Sequence, residues 1–173
     1  IDLCTKAGYE VTARSTQSRM DACTVAEYAC LQNYDMIVCS GGDGTLNEVV
    51  HGVMNSGMSV PIGYIPSGST NDFSRGLGIP RGIVNAAGWM LQGGRYVCDV
   101  GQFNDKYFMY VAAFGALVSV TYETPQQTKN VLGHAAYILN GITRLNTIRS
   151  YHMRVEYDGE CIAVSYTHLT LPT

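Results

Sequence analysis

The sequence predicts an α/β fold: a parallel sheet with helices on both faces, followed by the start of a β-rich second domain. Three observations predict it. Through residue 92, short apolar runs alternate with stretches of helical periodicity, the rhythm that builds parallel sheets. The two clearest runs, 35–40 (DMIVCS) and 60–66 (VPIGYIP), each lead into a polar turn containing glycine. After Gly93 and Gly94 the pattern changes to strand pairs flanking Asn104-Asp105 and Asp158-Gly159, which are hairpin signals. The expected division is 1–93 for an α/β domain and 94–164 for the opening of a β-rich one. Residues 165–173 resemble translated sequencing-adaptor read-through and are expected to be a non-native tail, so the chain reads as a fragment.

Taken in order, residues 1–7 read as the end of a helix closed by Gly8. Segment 9–16 (YEVTARST), β-branched and aromatic, reads as a short strand. From 20 to 33, Ala22, Val25, Ala26, Ala29 and Cys30 fall at helical spacing. The run 35–40 suits a strand buried on both faces. From Thr45 onward, Leu46, Val49, Val50 and Val53 recur at i, i+3, i+4 and i+7, one apolar stripe of a helix. Residues 60–66 supply the next strand, and 80–92 a helix with Ile83, Ala87, Met90 and Leu91 inward. Segments 95–103 and 106–115 read as one hairpin, 129–145 as a helix, and 153–164 as a second hairpin.

At 173 residues, 46% hydrophobic and 14% charged, the chain can bury the core of a domain. A net charge of −3 and a pI near 5.7 argue against nucleic acid as a partner. No apolar run approaches the ~18 residues of a membrane span, and the expected location is the cytoplasm. The six cysteines show no C-x-x-C pair and read as reduced thiols, mostly buried. His51, His134, His152 and His168 lack metal-ligand spacing.

The chemistry concentrates in two turns. In "CSGGDGTLNEVV" (39–50), Gly41, Gly42 and Gly44 clear side chains from a strand-to-helix junction. One reading is structural: Thr45 and Glu48 form a T-x-x-E capping box. The other is that the amides and the positive helix end receive phosphate. Asp43 favours the second, since a carboxylate beside phosphate needs a divalent cation or donor between them. The second turn, "IPSGSTNDF" (65–73), has its own structural reading, with Ser69, Thr70 and Asn71 as helix caps. Two such turns at the carboxyl ends of parallel strands would face one crevice, where open α/β sheets bind ligands. Neither the P-loop pattern nor G-x-G-x-x-G is present.

"GGDGTLNEVVHGV", "IPSGSTNDFSRGLGIP" and "CDVGQFNDKYFMYVAAFGA" together resemble the catalytic domain of the diacylglycerol kinase family, closest to its soluble bacterial members. The resemblance runs from Ala7 to about residue 164. It implies a nucleotide-binding domain of the NAD kinase and phosphofructokinase-like kind, whose first strand would precede this chain. It also implies an ATP- and magnesium-dependent kinase that converts diacylglycerol or a similar lipid to phosphatidic acid at a membrane surface. The ATP phosphate site would be Gly41, Gly42, Asp43, Gly44, Thr45, Leu46, Asn47 and Glu48, joined by Thr16, Ser69 and Asn71. Asp43 and Asp72 would be the catalytic carboxylates, and Asp43, Asp72 and Asp99 a magnesium and water network. The general base would be an aspartate outside this chain, and a homodimer is left open. Alternatives are a kinase of the same fold acting on a sphingoid base, another lipid or NAD, or a nucleotide-binding module without catalysis. "NDFSRGLG" favours the lipid branch over NAD.

Overall fold

The computed structural model describes residues 1–115, 150–166 and 168–172. Contacts divide them into two units, Ile1–Tyr110 and Val111–Pro172. The first runs α1 (Asp2–Lys6), α2 (Asp21–Leu31), β1 (Ile37–Gly41), α3 (Asp43–Ser56), β2 (Ile62–Pro66), α4 (Asp72–Gly76), α5 (Ile83–Gln92), β3 (Gly101–Phe103) and β4 (Lys106–Phe108).

β1 and β2 pair in parallel, with Ile37 opposite Ile62 and Gly41 opposite Pro66. Both apolar runs therefore end level, and both turns leave the same edge. Side chains alternate across a sheet, and the two glycines inside the strands reveal what covers each face. A Cβ on Gly63 would strike the Met90 sulfur of α5, and one on Gly41 would come within 2.6 Å of Thr45 of α3. Helix α5 thus covers the Val38–Gly63 face and α3 the Cys39–Tyr64 face, the arrangement the sequence predicts.

The stripe of α3 is buried as its spacing requires: Leu46, Val49, Val50 and Val53, with Gly52 beside them. Against it lies α2 through Ala22, Cys23, Ala26 and Cys30. Val25 points outward instead, because the small residues of α2 make the close approach. A Cβ on Gly52 would collide with the Cys23 carbonyl and meet Ala26 Cβ at 3.1 Å, so the crossing depends on this glycine. In α5 the inward residues are Ala86 and Ala87, with Met90 packed against the core, while Ile83 is 58% exposed.

Two expected strands differ. Segment 9–16 forms none, since a strand requires a neighbouring ladder and no described strand pairs with it. The first hairpin does form across Asn104, at φ 55, but its first strand is only Gly101–Phe103. The preceding residues stay unpaired, with Val97 92% exposed. The hairpin also belongs with the first unit. His51 Nδ1 accepts the Tyr107 amide at 3.2 Å, and Asn47 Oδ1 accepts the Met109 amide at 3.2 Å. These two residues stand one turn apart on α3 and fasten the hairpin to it.

In the second unit, β5 (Val111–Gly115) pairs antiparallel with β8 (His168–Pro172), and β6 (Tyr151–Tyr157) with β7 (Glu160–Tyr166). Asp158 and Gly159, at φ 48 and 82, make the second expected hairpin turn. The expected tail 165–173 thus contributes the end of β7 and all of β8. The helix expected at 129–145 lies outside the described residues. All six cysteines are free; Cys23, Cys30 and Cys39 are buried, whereas Cys98 and Cys161 are exposed. Among the described residues no helix is long and apolar enough to cross a membrane.

Gly52→Ala tests the α2–α3 crossing. Alanine improves helix propensity by about 0.5–1 kcal/mol, but a backbone carbonyl cannot rotate out of its way. Overpacking of about 1–3 kcal/mol should win. Urea unfolding should show a lower midpoint than the parent chain, and a raised midpoint would contradict the close crossing.

Candidate functional site

The two turns touch. The Ser67 amide donates to the Gly41 carbonyl at 2.9 Å, carrying the strand pairing one step past the sheet. Gly42 and Gly68 then pass so closely that a Cβ on Gly68 would stand 2.5 Å from the Gly42 Cα. Neither glycine is there for a positive φ; both are there for space. Asn71 closes the second turn on itself: its Oδ1 accepts the Gly68 amide at 3.0 Å and its Nδ2 donates to the Gly68 carbonyl at 2.6 Å. It does so from the left-handed region, φ 53, which asparagine tolerates better than most residues.

Asp43 joins the turns chemically. Its Oδ2 accepts the Asp72 amide at 3.0 Å and its Oδ1 the Phe73 amide at 3.2 Å. These are first-turn amides of α4, which the helix itself cannot satisfy. Asp43 therefore caps α4 across 30 residues of sequence, a structural role the sequence reading did not find.

The capping box expected at Thr45 and Glu48 is absent. Helix α3 begins two residues earlier, at Asp43, with Gly42 as N-cap and no side-chain cap bond. Among the described residues nothing accepts the amides of Asp43, Gly44 and Thr45. Gly44 has open space where a Cβ would point, so this bare helix end faces solvent. Bare amides, the positive helix end and a glycine cradle fit a phosphate group.

The other expected site residues separate into two groups. Ser69 and Thr70 are exposed, with no hydrogen bond of their own among the described residues, on the turn that touches Gly42. Leu46 and Asn47 are engaged elsewhere than at the helix end. Leu46 is 2% exposed in the core, Asn47 holds Met109, and Glu48 lies near enough to Cys23 for its charge to help raise that thiol, behind burial and Glu27. Thr16 is exposed in the loop before α2, and no described hydrogen bond joins it to the turns. The backbone after Thr16 is held by Asp21, whose carboxylate accepts the Gln17 and Ser18 amides at 2.7 and 2.9 Å and the Ser18 hydroxyl at 2.7 Å.

The three carboxylates expected to form a magnesium and water network have separate surroundings. Among the described residues no three His, Cys, Asp or Glu side chains gather to hold a metal. Asp43 is occupied by the α4 amides, Asp72 reaches Arg75 at 3.4 Å, and Asp99 is exposed in the segment before β3. Asp43 and Asp72 still suit magnesium, which takes one or two carboxylates and completes its octahedron with water and substrate phosphate.

Level strand ends, two touching glycine turns and a bare helix end define an α/β domain with unsatisfied amides gathered at one sheet edge. The profile of the diacylglycerol kinase catalytic domain matches residues 1–103. Proteins named diacylglycerol kinase from Staphylococcus aureus strains JH9 and Newman are each 42% identical over 154 residues, covering 89% of this chain and 49% of theirs. The crystal structure of a diacylglycerol kinase from Bacillus anthracis str. Sterne matches with TM-score 0.67 at 26% identity, over 90% of this chain and 50% of that one. The chain belongs to the diacylglycerol kinase catalytic domain family. It spans about half the length of the curated relatives it matches.

Replacing Asp43 by alanine strands two half-buried α4 amides, each costing less than the about 1–3 kcal/mol of a fully buried unpaired donor. Asp43→Ala should therefore speed hydrogen exchange at Asp72 and Phe73 well beyond the rest of the chain; unchanged exchange would refute the cap. Asp21 supplies a pH test. The Ser18 hydroxyl first, then the Gln17 and Ser18 amides, hold its carboxyl below the ordinary 3.8. A depressed value means the loop's anchoring is complete above 3.8 and lost as pH falls through the lower folded value. The Gln17 and Ser18 amide resonances should titrate with a midpoint below 3.8, and a midpoint above it would remove Asp21 as the anchor.

Proposed function

We propose that this chain carries the nucleotide site of an ATP- and magnesium-dependent lipid kinase that phosphorylates diacylglycerol. The observation that carries the reading is the junction of Gly42 with Gly68 beneath the uncapped start of α3, supported by the names of the relatives. Amides of Asp43, Gly44 and Thr45 would hold the phosphates of the nucleotide, and the Ser69 and Thr70 hydroxyls would border it from the second turn. Asp43 and Asp72 would hold magnesium, which when bound neutralises phosphate charge and orients the transferred group. Transfer of this kind is mostly positioning. The rigid cross-link of the two turns supplies it, keeping the amides and both carboxylates in one frame before substrate arrives. The lipid hydroxyl would attack the terminal phosphorus and give its proton to a general base, the bond to the bridging oxygen would break, and the leaving group would be the nucleoside diphosphate. The lipid would be met at a membrane surface, with the domain docked on its cytoplasmic side.

Asp72→Asn is the sharper test, because the Asp72 side chain is 44% exposed and only its backbone amide serves the cap. In a chain extended to the length of its relatives, transfer of labelled phosphate to diacylglycerol should fall about 10- to 100-fold. The unfolding midpoint should not move. Unaltered transfer would remove Asp72 from the site. Sphingosine and NAD as parallel acceptors decide the substrate class, and phosphorylation of either in preference to diacylglycerol would overturn the lipid assignment.

A further inference from the structure

One buried polar atom in the first unit has no explanation in the fold. Tyr64 is 6% exposed, and its hydroxyl has no hydrogen-bond partner among the described residues. The residue sits in the middle of β2, opposite Cys39, on the face covered by α3. Its ring lies against Phe73, centroids 6.4 Å apart and planes tilted by 49°. The amide of that same Phe73 donates to Asp43. A phenylalanine would supply the ring contact equally well, so the hydroxyl is the part that needs a reason. Left unpaired in the interior, a hydroxyl costs about 1–3 kcal/mol.

Two groups are candidates to receive it. Burial foremost, then the negative charge of Asp43, then Cys39, push the Tyr64 phenol well above its ordinary value, so it remains a donor at neutral pH. Burial likewise pushes the Cys39 thiol up to about 12, so it is a protonated thiol and a weak acceptor. The Asp43 carboxylate is the stronger acceptor, and each of its oxygens takes one amide with a lone pair to spare. Direct contact is not made, and one buried water is the usual link between such groups.

We propose that the Tyr64 hydroxyl is a positioning group for Asp43, donating through one buried water to the carboxylate that joins the two turns. The α4 amides fix Asp43 from the side of the second turn, and Tyr64 fixes it from the sheet face that α3 covers. The carboxylate is then oriented from two directions, and one of its lone pairs remains free. The functional part of this inference rests on the phosphotransfer reading; the hydrogen bond itself does not.

The experiment separates the two. In the present chain, Tyr64→Phe keeps the ring and removes one competing donor, so the Asp72 and Phe73 amide protons should move downfield, more than other amides of α4. No movement of either overturns the proposal. Should the variant fold poorly, the unmutated chain labelled at tyrosine Cζ gives a second measurement. In mixed H2O and D2O, a Tyr64 hydroxyl bonded in the interior should give two resolved Cζ signals, and Asp43→Asn should shift them. A Cζ signal indifferent to Asp43→Asn overturns the proposal. In a chain extended to the length of its relatives, Tyr64→Phe should lower kcat about 10-fold and leave KM for the nucleotide unchanged, a split that lost packing would not give. Altered amides with kcat intact would overturn the catalytic part and keep the bond, whereas no transfer by the extended parent would sink the phosphotransfer reading alone.

Discussion

One carboxylate ties this fold to its site. Asp43 stands at the first position of α3 and accepts both leading amides of α4, so two helices begin at one side chain. The negative charge sits at two positive helix ends at once, where macrodipoles favour it. In most α/β domains successive turns at a sheet edge can move independently. Here they cannot, because changing the angle of either helix breaks a charge-assisted bond.

That constraint holds only because the backbones approach as they do. Ser67 extends the ladder beyond β2, Gly42 and Gly68 cross without side chains, and Asn71 seals its own turn. Each contributes a different physical requirement: a hydrogen bond, empty volume, and tolerance of a left-handed backbone. The consequence is a rigid rim beside uncapped amides. A helix start without a cap is normally a weakness. Beside open space at Gly44 it leaves amides whose hydrogen bonding nothing among the described residues completes.

Helix α3 is the common element of the unit. Its first turn frames the site, its apolar stripe fills the core against the Cys39–Tyr64 face and α2, and Asn47 and His51 hold the β3–β4 hairpin. Residues that the motif places together therefore divide by function along the helix. Asp43, Gly44 and Thr45 belong to the rim. Leu46 and Asn47 serve packing and attachment, because a helix turns 100° per residue and cannot present six successive side chains to one ligand.

The sequence by itself determined the alternation of strand and helix, the apolar stripe of α3, both hairpin turns and the two glycine turns at strand ends. Each is a local property: side-chain periodicity, β-branching, or the few residues that tolerate a given backbone. What only the tertiary structure decided was which groups meet. The capping box was a sound local reading that lost to an earlier helix start, made possible when Asp43 found amides 30 residues away. The strand expected at 9–16 found no neighbour among the described residues. Pairing between distant residues depends on how strands register and how closely backbones pass, and no single segment of chain contains that information.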